Sequence, residues 1–288
     1  MGKLDYKHIL SVIDDYDLFL FDLWGVVVEG NYNYPGVVDN INKVLDTGKN
    51  VFFVSNAPRN TLSLYTKVRS WGINATPEMI ISSGELAIDM ILDSENRFGI
   101  KKPVVYHLGQ DQNDIIDGLQ TPRTDNINES NILLLTLHRD EGPTLDLDEF
   151  DELLRAAVAR KTINICANPD LTLSQLGVLR YCAGYYAAKL KQFGGEIIYS
   201  GKPYAEIYNK VLNKLPYIIP NNRVLMIGDT FYTDILGANQ MGFDSGLVLT
   251  GNSTKFHGQY HTIEEKLEHI KIAATEQGVM PSFVIELS

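Results

Sequence analysis

The feature that most constrains the fold is an alternation of short apolar runs with longer segments of helical period. The runs of strand length are LFLFDL (18–23), VFFVSN (51–56), EIIYS (196–200), RVLMIGD (223–229) and SGLVLTG (245–251). The first run is continuously apolar, as is typical of a strand covered on both faces of its sheet. Such alternation predicts an α/β fold with a doubly wound, mainly parallel sheet, in which these runs are the five core strands.

The middle of the chain has an α/β rhythm of its own. Its strand candidates are PVVYHLG (103–109), ILLLTL (132–137) and TINICAN (162–168). Apolar residues with the spacing of one helix face follow the second candidate, at Phe150, Leu153, Leu154, Ala157 and Val158. We therefore expect an inserted α/β domain over residues 95–190, and a catalytic core built from residues 1–94 and 191–288.

Charge and cysteine content narrow the class of function. The formal net charge of −11 argues against a general nucleic-acid binder but allows a phosphorylated substrate. Cys166 and Cys182 form no C-x-x-C pair and the histidines show no metal-ligand spacing, so no zinc site is expected. One disulfide is an open alternative, but reduced buried thiols are favoured. The polar N-terminus and the lack of a long apolar run predict a cytoplasmic protein without a membrane partner.

Residues that suit phosphoryl transfer gather at one predicted position. Asp22, Ser55 and Asp229 each end a predicted core strand, and Lys202 follows another. Ligands of open parallel sheets bind outside the carboxyl ends of the strands, so one sheet edge could gather all four. Taken singly, each residue has a plainer explanation, because an aspartate can cap a helix, a serine can sit in a turn and a lysine can be solvated.

The order of four short motifs resembles the haloacid dehalogenase superfamily. The motifs are FDLWG (21–25), VSN (54–56), GKP (201–203) and IGDTFYTD (227–234). The insertion between the second and third motifs resembles the cap of the class IIA members, which include NagD-like and pyridoxal-phosphate phosphatase-like hydrolases. The resemblance implies a magnesium-dependent phosphatase that acts on a small phosphorylated metabolite, such as a sugar phosphate or nucleotide. It also implies a homodimer formed through the cap.

The resemblance implies a role for each motif residue that contacts the phosphate. Asp22 would attack phosphorus in line and become an aspartyl phosphate. Ser55 and the backbone of Asn56 would bind the transferring phosphate, and Lys202 would bridge the nucleophile and that phosphate. Asn168 and Asp170 lie in a segment that resembles the NPD of the class IIA cap, and structural support is their favoured role.

The resemblance also implies a metal site. Magnesium would be held by Asp22 and Asp229 together with the backbone carbonyl of Trp24. Asp234 would be a further ligand, a support for the ligands, or only a helix cap. Carboxylate and carbonyl oxygens are the ligands that magnesium prefers.

Position 24 departs from the family pattern. Members usually carry there a second aspartate, which protonates the leaving group, whereas Trp24 has no titratable group. Three outcomes are open: a substrate with a good leaving group, a proton from Glu29, His107 or His138, or a metal- and phosphate-binding regulatory protein with impaired catalysis. The Trp24 side chain could shape the pocket floor or pack in the core, and packing is slightly favoured.

A response-regulator receiver domain is the rival α/β interpretation, since it too uses an aspartate, a hydroxyl residue and a lysine. In receivers the acidic pair comes first in the chain, whereas here Asp229 and Asp234 come last. The long insertion also has no place in a receiver. The sequence therefore favours the haloacid dehalogenase-like hydrolase.

Overall fold

The computed structural model describes residues 4–110, 114–117, 119–175 and 177–288. Its strands are β1 (Tyr6–His8), β2 (Leu18–Phe21), β3 (Val28–Glu29), β4 (Tyr32–Asn33), β5 (Asn50–Ser55), β6 (Ile80–Ser82), β7 (Val105–Leu108), β8 (Ile132–Leu135), β9 (His138–Asp140), β10 (Ile163–Cys166), β11 (Thr172–Gln175), β12 (Val178–Cys182), β13 (Ile198–Tyr199), β14 (Val224–Gly228), β15 (Asp244–Leu247) and β16 (Phe283–Glu286). Its α-helices are α1 (Val37–Asp46), α2 (Thr61–Ser70), α3 (Ser83–Leu92), α4 (Ser94–Phe98), α5 (Asp114–Asp117), α6 (Asp151–Arg160), α7 (Ala183–Gln192), α8 (Ala205–Leu212), α9 (Leu236–Met241), α10 (Thr254–His257) and α11 (Ile263–Gln277).

The main sheet has seven strands in the order β1-β16-β15-β14-β2-β5-β6. Each neighbouring pair from β1 to β5 in this order is parallel. Strand β2 is buried along its whole length, and the Phe19, Phe21 and Phe53 rings stack across the centre of the sheet. Burial on both faces explains why this strand is continuously apolar. The predicted α/β class with a mainly parallel sheet is confirmed.

The chain divides into two compact units. The first comprises residues up to Ser55, Leu64–Ile81 and Lys202–Ser288, and the second comprises Asn56–Ser63 and Ser82–Gly201. The predicted insertion, 95–190, lies within the second unit, which reaches further at both ends. The additional parts include helix α3 and strand β13.

The second unit contains a four-stranded parallel sheet in the order β13-β10-β8-β7, and a three-stranded antiparallel sheet in the order β11-β12-β9. Tyr186 of helix α7 is buried against Phe150, with the two rings edge to face. Cys166 and Cys182 are free buried thiols, as favoured from the sequence.

One detail predicted from the sequence, the place of the strand at 196–200, is wrong. The run EIIYS supplies β13, which pairs with β10 in the sheet of the second unit and is therefore not a core strand. An apolar run shows that a strand is buried but not which sheet receives it. Helix α8 begins at Ala205, and the Lys202–Pro203 peptide bond is cis in the turn before it. Among the described residues, no helix has the length and apolar character needed to cross a bilayer.

Candidate active site

Two of the predicted acidic residues lie side by side because their strands do. Asp22 follows β2 and Asp229 follows β14, and these strands are parallel neighbours with Phe21 opposite Ile227. The backbone N–H of Asp22 donates a 2.9 Å hydrogen bond to the Ile227 carbonyl, which extends this pairing by one residue. Parallel strands bring their carboxyl ends to the same sheet edge, so both aspartates lie where ligands of such sheets bind.

Asp234 joins them in a cluster of three carboxylates. One oxygen of each of Asp22, Asp229 and Asp234 lies within 4.8 Å of those of the other two. Asp229 is 2% exposed and Asp234 is fully buried. Burial raises the pKa of Asp22 to about 7; Lys202 opposes this rise and Asp234 adds to it. Burial also raises the pKa of Asp229 well above its usual range, with contributions from Asp234 and Asp22.

This donor set fits a divalent cation. Packed carboxylates repel one another in a site with little water, and a divalent cation between them would relieve that repulsion. Hard oxygen donors at this spacing suit magnesium. The structure therefore brings together the three aspartates that were predicted as metal ligands, although their role as ligands stays a prediction.

Lys202 supplies the counter-charge of the cluster. Its Nζ lies 2.7 Å from Asp22 Oδ1 and 2.8 Å from Asp234 Oδ1, and its side chain is 1% exposed. Burial alone would lower the pKa of this lysine, but the two carboxylates outweigh it and hold the pKa above its usual value. Lys202 therefore stays an ammonium group and pairs with both the predicted nucleophile, Asp22, and Asp234 of the last motif.

Asp234 is held by a wide helical turn. Residues Phe231–Ile235 form a π-helical turn, in which the Ile235 N–H reaches back to the Thr230 carbonyl at 3.3 Å. Asp234 Oδ2 accepts hydrogen bonds from the backbone N–H groups of Asp229 and Thr230, both at 3.1 Å. One oxygen of Asp234 thus caps the backbone and the other faces Lys202. The capping role left open by the sequence is observed, together with the ion pair.

Asp229 lies against backbone that carries no side chain. Gly25 and Gly251 both have positive φ, +84° and +60°, and a Cβ at either position would lie 2.0 or 2.1 Å from Asp229 Oδ2. Asp229 Oδ1 accepts a hydrogen bond from Thr230 Oγ1 at 2.8 Å, and Oδ2 accepts one from the Asn252 N–H at 2.6 Å. Both carboxylate oxygens are therefore oriented by fixed donors.

The predicted phosphate-contact residues fall on either side of a unit boundary. Ser55 is the buried last residue of β5, the strand next to β2. Asn56 begins the second unit, where its Nδ2 donates to Asp170 Oδ1 at 3.1 Å. Asn168 Oδ1 accepts from the Asp170 N–H at 3.1 Å. These bonds agree with structural support by Asn168 and Asp170, and phosphate binding by Ser55 and Asn56 stays a prediction.

Trp24 packs against another tryptophan. Its ring meets that of Trp71 edge to face, with centroids 5.8 Å apart, and Lys67 Nζ lies 5.4 Å from the Trp24 ring centroid. These contacts agree with packing, the role that the sequence favours for the Trp24 side chain. Ligation of a metal by the Trp24 carbonyl stays a prediction.

The three candidates for a proton donor differ in place. Glu29 is exposed in the first unit, the unit that holds Asp22, and accepts a 3.2 Å hydrogen bond from the Tyr34 hydroxyl. His107 and His138 belong to the second unit. His107 Nε2 lies 2.5 Å from Thr136 Oγ1, and burial together with Arg180 lowers the pKa of His138. Of the three, the described contacts place only Glu29 in the same compact unit as the carboxylate cluster.

Sequence reasoning missed the residues around Asp229. Thr230 lies within the last motif, in which only Asp229 and Asp234 were assigned a role from the sequence. Gly251 closes the last predicted run and Asn252 follows it, and the Thr-Gly-Asn sequence there signals a turn but no ligand. The usable signal was position, because the loop after β15 begins at the same sheet edge as Asp229.

Comparison with known proteins agrees with this architecture. A family model described as haloacid dehalogenase-like hydrolase matches residues 19–119, and a second, haloacid dehalogenase hydrolase-like model matches residues 199–276. Together they cover more than half of the chain.

Individual relatives extend the match over nearly the whole chain. An acid sugar phosphatase of Staphylococcus aureus (strain USA300) is 27% identical over 83% of this chain and 88% of its own. The structure of a possible sugar phosphatase from Cytophaga hutchinsonii is 25% identical, covers 98% of both chains and has a TM-score of 0.75. NagD from Escherichia coli shares the fold with a TM-score of 0.65 at 19% identity, over 94% of this chain and 96% of its own. The chain therefore belongs to the haloacid dehalogenase superfamily and, within it, to the phosphoric monoester hydrolases.

Proposed function

We propose that this protein is a magnesium-dependent phosphatase that hydrolyses a small phosphorylated metabolite, with a sugar phosphate as the first candidate. One observation carries the proposal: three carboxylates within 4.8 Å of one another, linked by a buried lysine, at the carboxyl ends of two parallel strands. The choice of a sugar phosphate is supported by the names of the Staphylococcus aureus and Cytophaga hutchinsonii relatives.

Asp22 is the proposed nucleophile. Its carboxylate attacks phosphorus in line, the bond from phosphorus to the leaving oxygen breaks, and an aspartyl phosphate forms on Asp22. Water then attacks this phosphorus, inorganic phosphate leaves and the carboxylate is regenerated. Lys202 Nζ, 2.7 Å from Asp22 Oδ1, orients the nucleophile and offsets negative charge near the incoming phosphate. Ser55 and Asn56 are the proposed partners of the phosphate oxygens.

Asp22, Asp229 and Asp234, with the Trp24 carbonyl, are the proposed residues that hold magnesium. When bound, the cation supplies positive charge that offsets that of the phosphate and the carboxylates. Because Asp234 already contacts Lys202 and two backbone N–H groups, Asp22 and Asp229 are the stronger candidates for direct ligation.

Trp24 limits which leaving groups this site can expel unaided. General acid help is worth about 10²- to 10⁴-fold in rate, and the tryptophan side chain cannot provide it. We therefore propose that good leaving groups, such as those of acyl or aryl phosphates, are hydrolysed faster than alkyl phosphates. Glu29 is the remaining candidate acid in the same compact unit as Asp22.

The first experiment is an aryl phosphate assay with and without magnesium. Wild-type protein should release p-nitrophenol only with the metal, and Asp22→Asn should reduce release to the background rate. Asp17→Asn is a matched control, because Asp17 precedes β2 as Asp22 follows it, and its carboxylate pairs with Arg223 instead of the cluster. Activity that survives in Asp22→Asn would rule out the proposed nucleophile.

A panel of sugar, nucleotide and acyl phosphates separates the substrate classes. Trp24→Asp should increase the rate with alkyl phosphates far more than with aryl phosphates if the missing acid limits turnover. The second candidate function, a regulatory protein that binds magnesium and phosphate, is favoured by Trp24. It would be supported by metal binding without turnover of any phosphate in the panel.

We propose that the second compact unit, which contains the predicted insertion, is a cap like that of the class IIA members of the superfamily. A homodimer formed through this unit stays a prediction that light scattering would test. A cytoplasmic location likewise stays a prediction that cell fractionation would test.

A further inference from the structure

We infer that Asn252 is a positioning residue for the metal site, which acts on Asp229 through the hydroxyl of Thr230. The inference rests on the proposed function, in which Asp229 is a metal ligand. Asn252 lies outside the four sequence motifs, in the loop after β15. Its backbone N–H donates to one oxygen of the Asp229 carboxylate, and its side chain donates to Thr230, whose hydroxyl contacts the other oxygen.

The side chain forms one arm of this contact. Asn252 Nδ2 donates to Thr230 Oγ1 at 2.9 Å, and Thr230 Oγ1 donates to Asp229 Oδ1 at 2.8 Å. A hydroxyl has one proton and can accept through its lone pairs. Because the amide N–H occupies a lone pair of Thr230, the single hydroxyl proton is directed at Asp229. The ionised Asp229 carboxylate can only accept hydrogen bonds. With the Asn252 amide in this orientation, the amide, the Thr230 hydroxyl and the carboxylate each have a partner.

The backbone forms the other arm. The Asn252 N–H donates to Asp229 Oδ2 at 2.6 Å. One residue therefore reaches both oxygens of a carboxylate that is 2% exposed, directly on one side and through Thr230 on the other. Two donors on opposite oxygens fix the rotation of the carboxylate, and with it the direction of the lone pairs left for a metal. Such outer partners of metal ligands commonly tune metal affinity.

The loop itself is anchored where this contact requires. Thr250 Oγ1 donates to the Gly25 carbonyl at 2.6 Å, which ties the loop to the segment that follows the predicted nucleophile. Gly251 has φ +60°, and a Cβ there would lie 2.5 Å from the Gly25 Cα as well as against Asp229. The glycine thus lets the loop approach close enough for the next N–H to reach the carboxylate.

The test is a double-mutant cycle read by magnesium affinity, measured by calorimetric titration without substrate. Thr230→Val keeps the shape and removes the hydroxyl, and we expect it to weaken magnesium binding about 10-fold. Asn252→Ala keeps the backbone N–H and should weaken binding about 3- to 10-fold. Because the Asn252 side chain acts through Thr230, the double variant should bind magnesium no more weakly than Thr230→Val alone. Effects that multiply in the double variant, or unchanged affinity in Asn252→Ala, would overturn the inference.

Two controls keep the cycle interpretable. Thr230→Ser restores the hydroxyl without the methyl group and should recover the affinity that Thr230→Val loses. If Thr230→Ser binds as weakly as Thr230→Val, lost packing explains the effect and the relay is rejected. Thermal melts in EDTA show whether each variant is folded before metal is added.

Failure of the proposed function has a different signature. Asp229→Asn should abolish magnesium binding if Asp229 is a ligand. Undiminished binding in Asp229→Asn, or no binding in the wild type, would reject the metal site and the relay with it. Loss of binding in Asp229→Asn with full affinity in Asn252→Ala would reject the relay alone.

Discussion

Replacing the proposed nucleophile, Asp22→Asn, should stabilise the metal-free protein at neutral and alkaline pH. Burial, opposed by Lys202 and aided by Asp234, raises the pKa of Asp22 from 3.8 to about 7. A folded-state pKa above the unfolded value means that the native protein keeps a proton that the unfolded chain has released. Stability from this group is therefore complete below about pH 3.8 and is lost as the pH rises to about 7. Asparagine is neutral throughout and avoids that loss.

The size of the effect follows from the shift. A pKa difference of about 3 units corresponds to about 4 kcal/mol of unfolding free energy once Asp22 is ionised in both states. Urea unfolding in EDTA should show Asp22→Asn less than about 1 kcal/mol more stable than wild type at pH 4, and up to about 4 kcal/mol at pH 8. Saturating magnesium should close the gap, because the cation stabilises the wild-type carboxylates.

The matched control has the opposite sign. Hydrogen bonds from Arg223 lower the pKa of Asp17 to about 2, so its contribution to stability is present above about pH 3.8 and is lost as the pH falls to about 2. Asp17→Asn should therefore destabilise the protein at pH 8, by less than about 1 kcal/mol because the pair is exposed to solvent. A less stable Asp22→Asn at pH 8, or a gap that does not change with pH, would refute the reasoning.

Three further predictions concern stability and reactivity. Lys202→Met leaves the buried carboxylates of Asp22 and Asp234 without their cation. Urea unfolding in EDTA should show a free energy of unfolding lower by about 3 to 5 kcal/mol, and a loss below about 1 kcal/mol would contradict the buried ion pairs. Gly251→Ala should abolish magnesium binding in a calorimetric titration because the new methyl group meets Asp229, whereas Gly48→Ala, also at positive φ but with open space around it, should leave binding unchanged. Burial raises the pKa of the Cys166 thiol to about 12 and also raises that of Cys182. Native protein at pH 8 should therefore react with a thiol reagent far more slowly than urea-unfolded protein. Equal rates would show that the thiols are accessible.

The sequence predicts the centre of the fold well because its signals there are local. Strands β2, β5 and β14 are largely apolar; an aspartate follows β2 and β14, and Ser55 ends β5. Since parallel strands end at one edge, those polar ends predict a cluster without knowledge of the tertiary structure. Asp22 and Asp229 lie where this reasoning places them.

The strands at the edges of the main sheet could not be predicted from local sequence signals. Strands β1, β6 and β16 were not predicted; they have three or four residues, and Tyr6 of β1 pairs with Val284 at the far end of the chain. A pairing over such a distance leaves no periodicity in either segment. The run EIIYS shows the same limit, since its composition suits a strand in either sheet.

The hydrogen bonds around Asp229 depend on loop conformation and could not be predicted. Asn252 reaches Thr230 and Asp229 because two glycines with positive φ bring separate loops together. A sequence shows that glycine and asparagine form a turn, but it does not show which buried group the turn approaches. Residues of this kind become visible only once the distances are known.

The π-helical turn at Phe231–Ile235 makes the site sensitive to chain length as well as to residue type. A π turn closes its hydrogen bond over one residue more than an α-helical turn does. Deleting a single residue such as Tyr232, which is 57% exposed, would let an ordinary α-helix form and would swing the following carboxylate about 100° around the helix axis. Anyone who grafts this acidic motif onto another helix would have to copy the extra residue as well as the two aspartates.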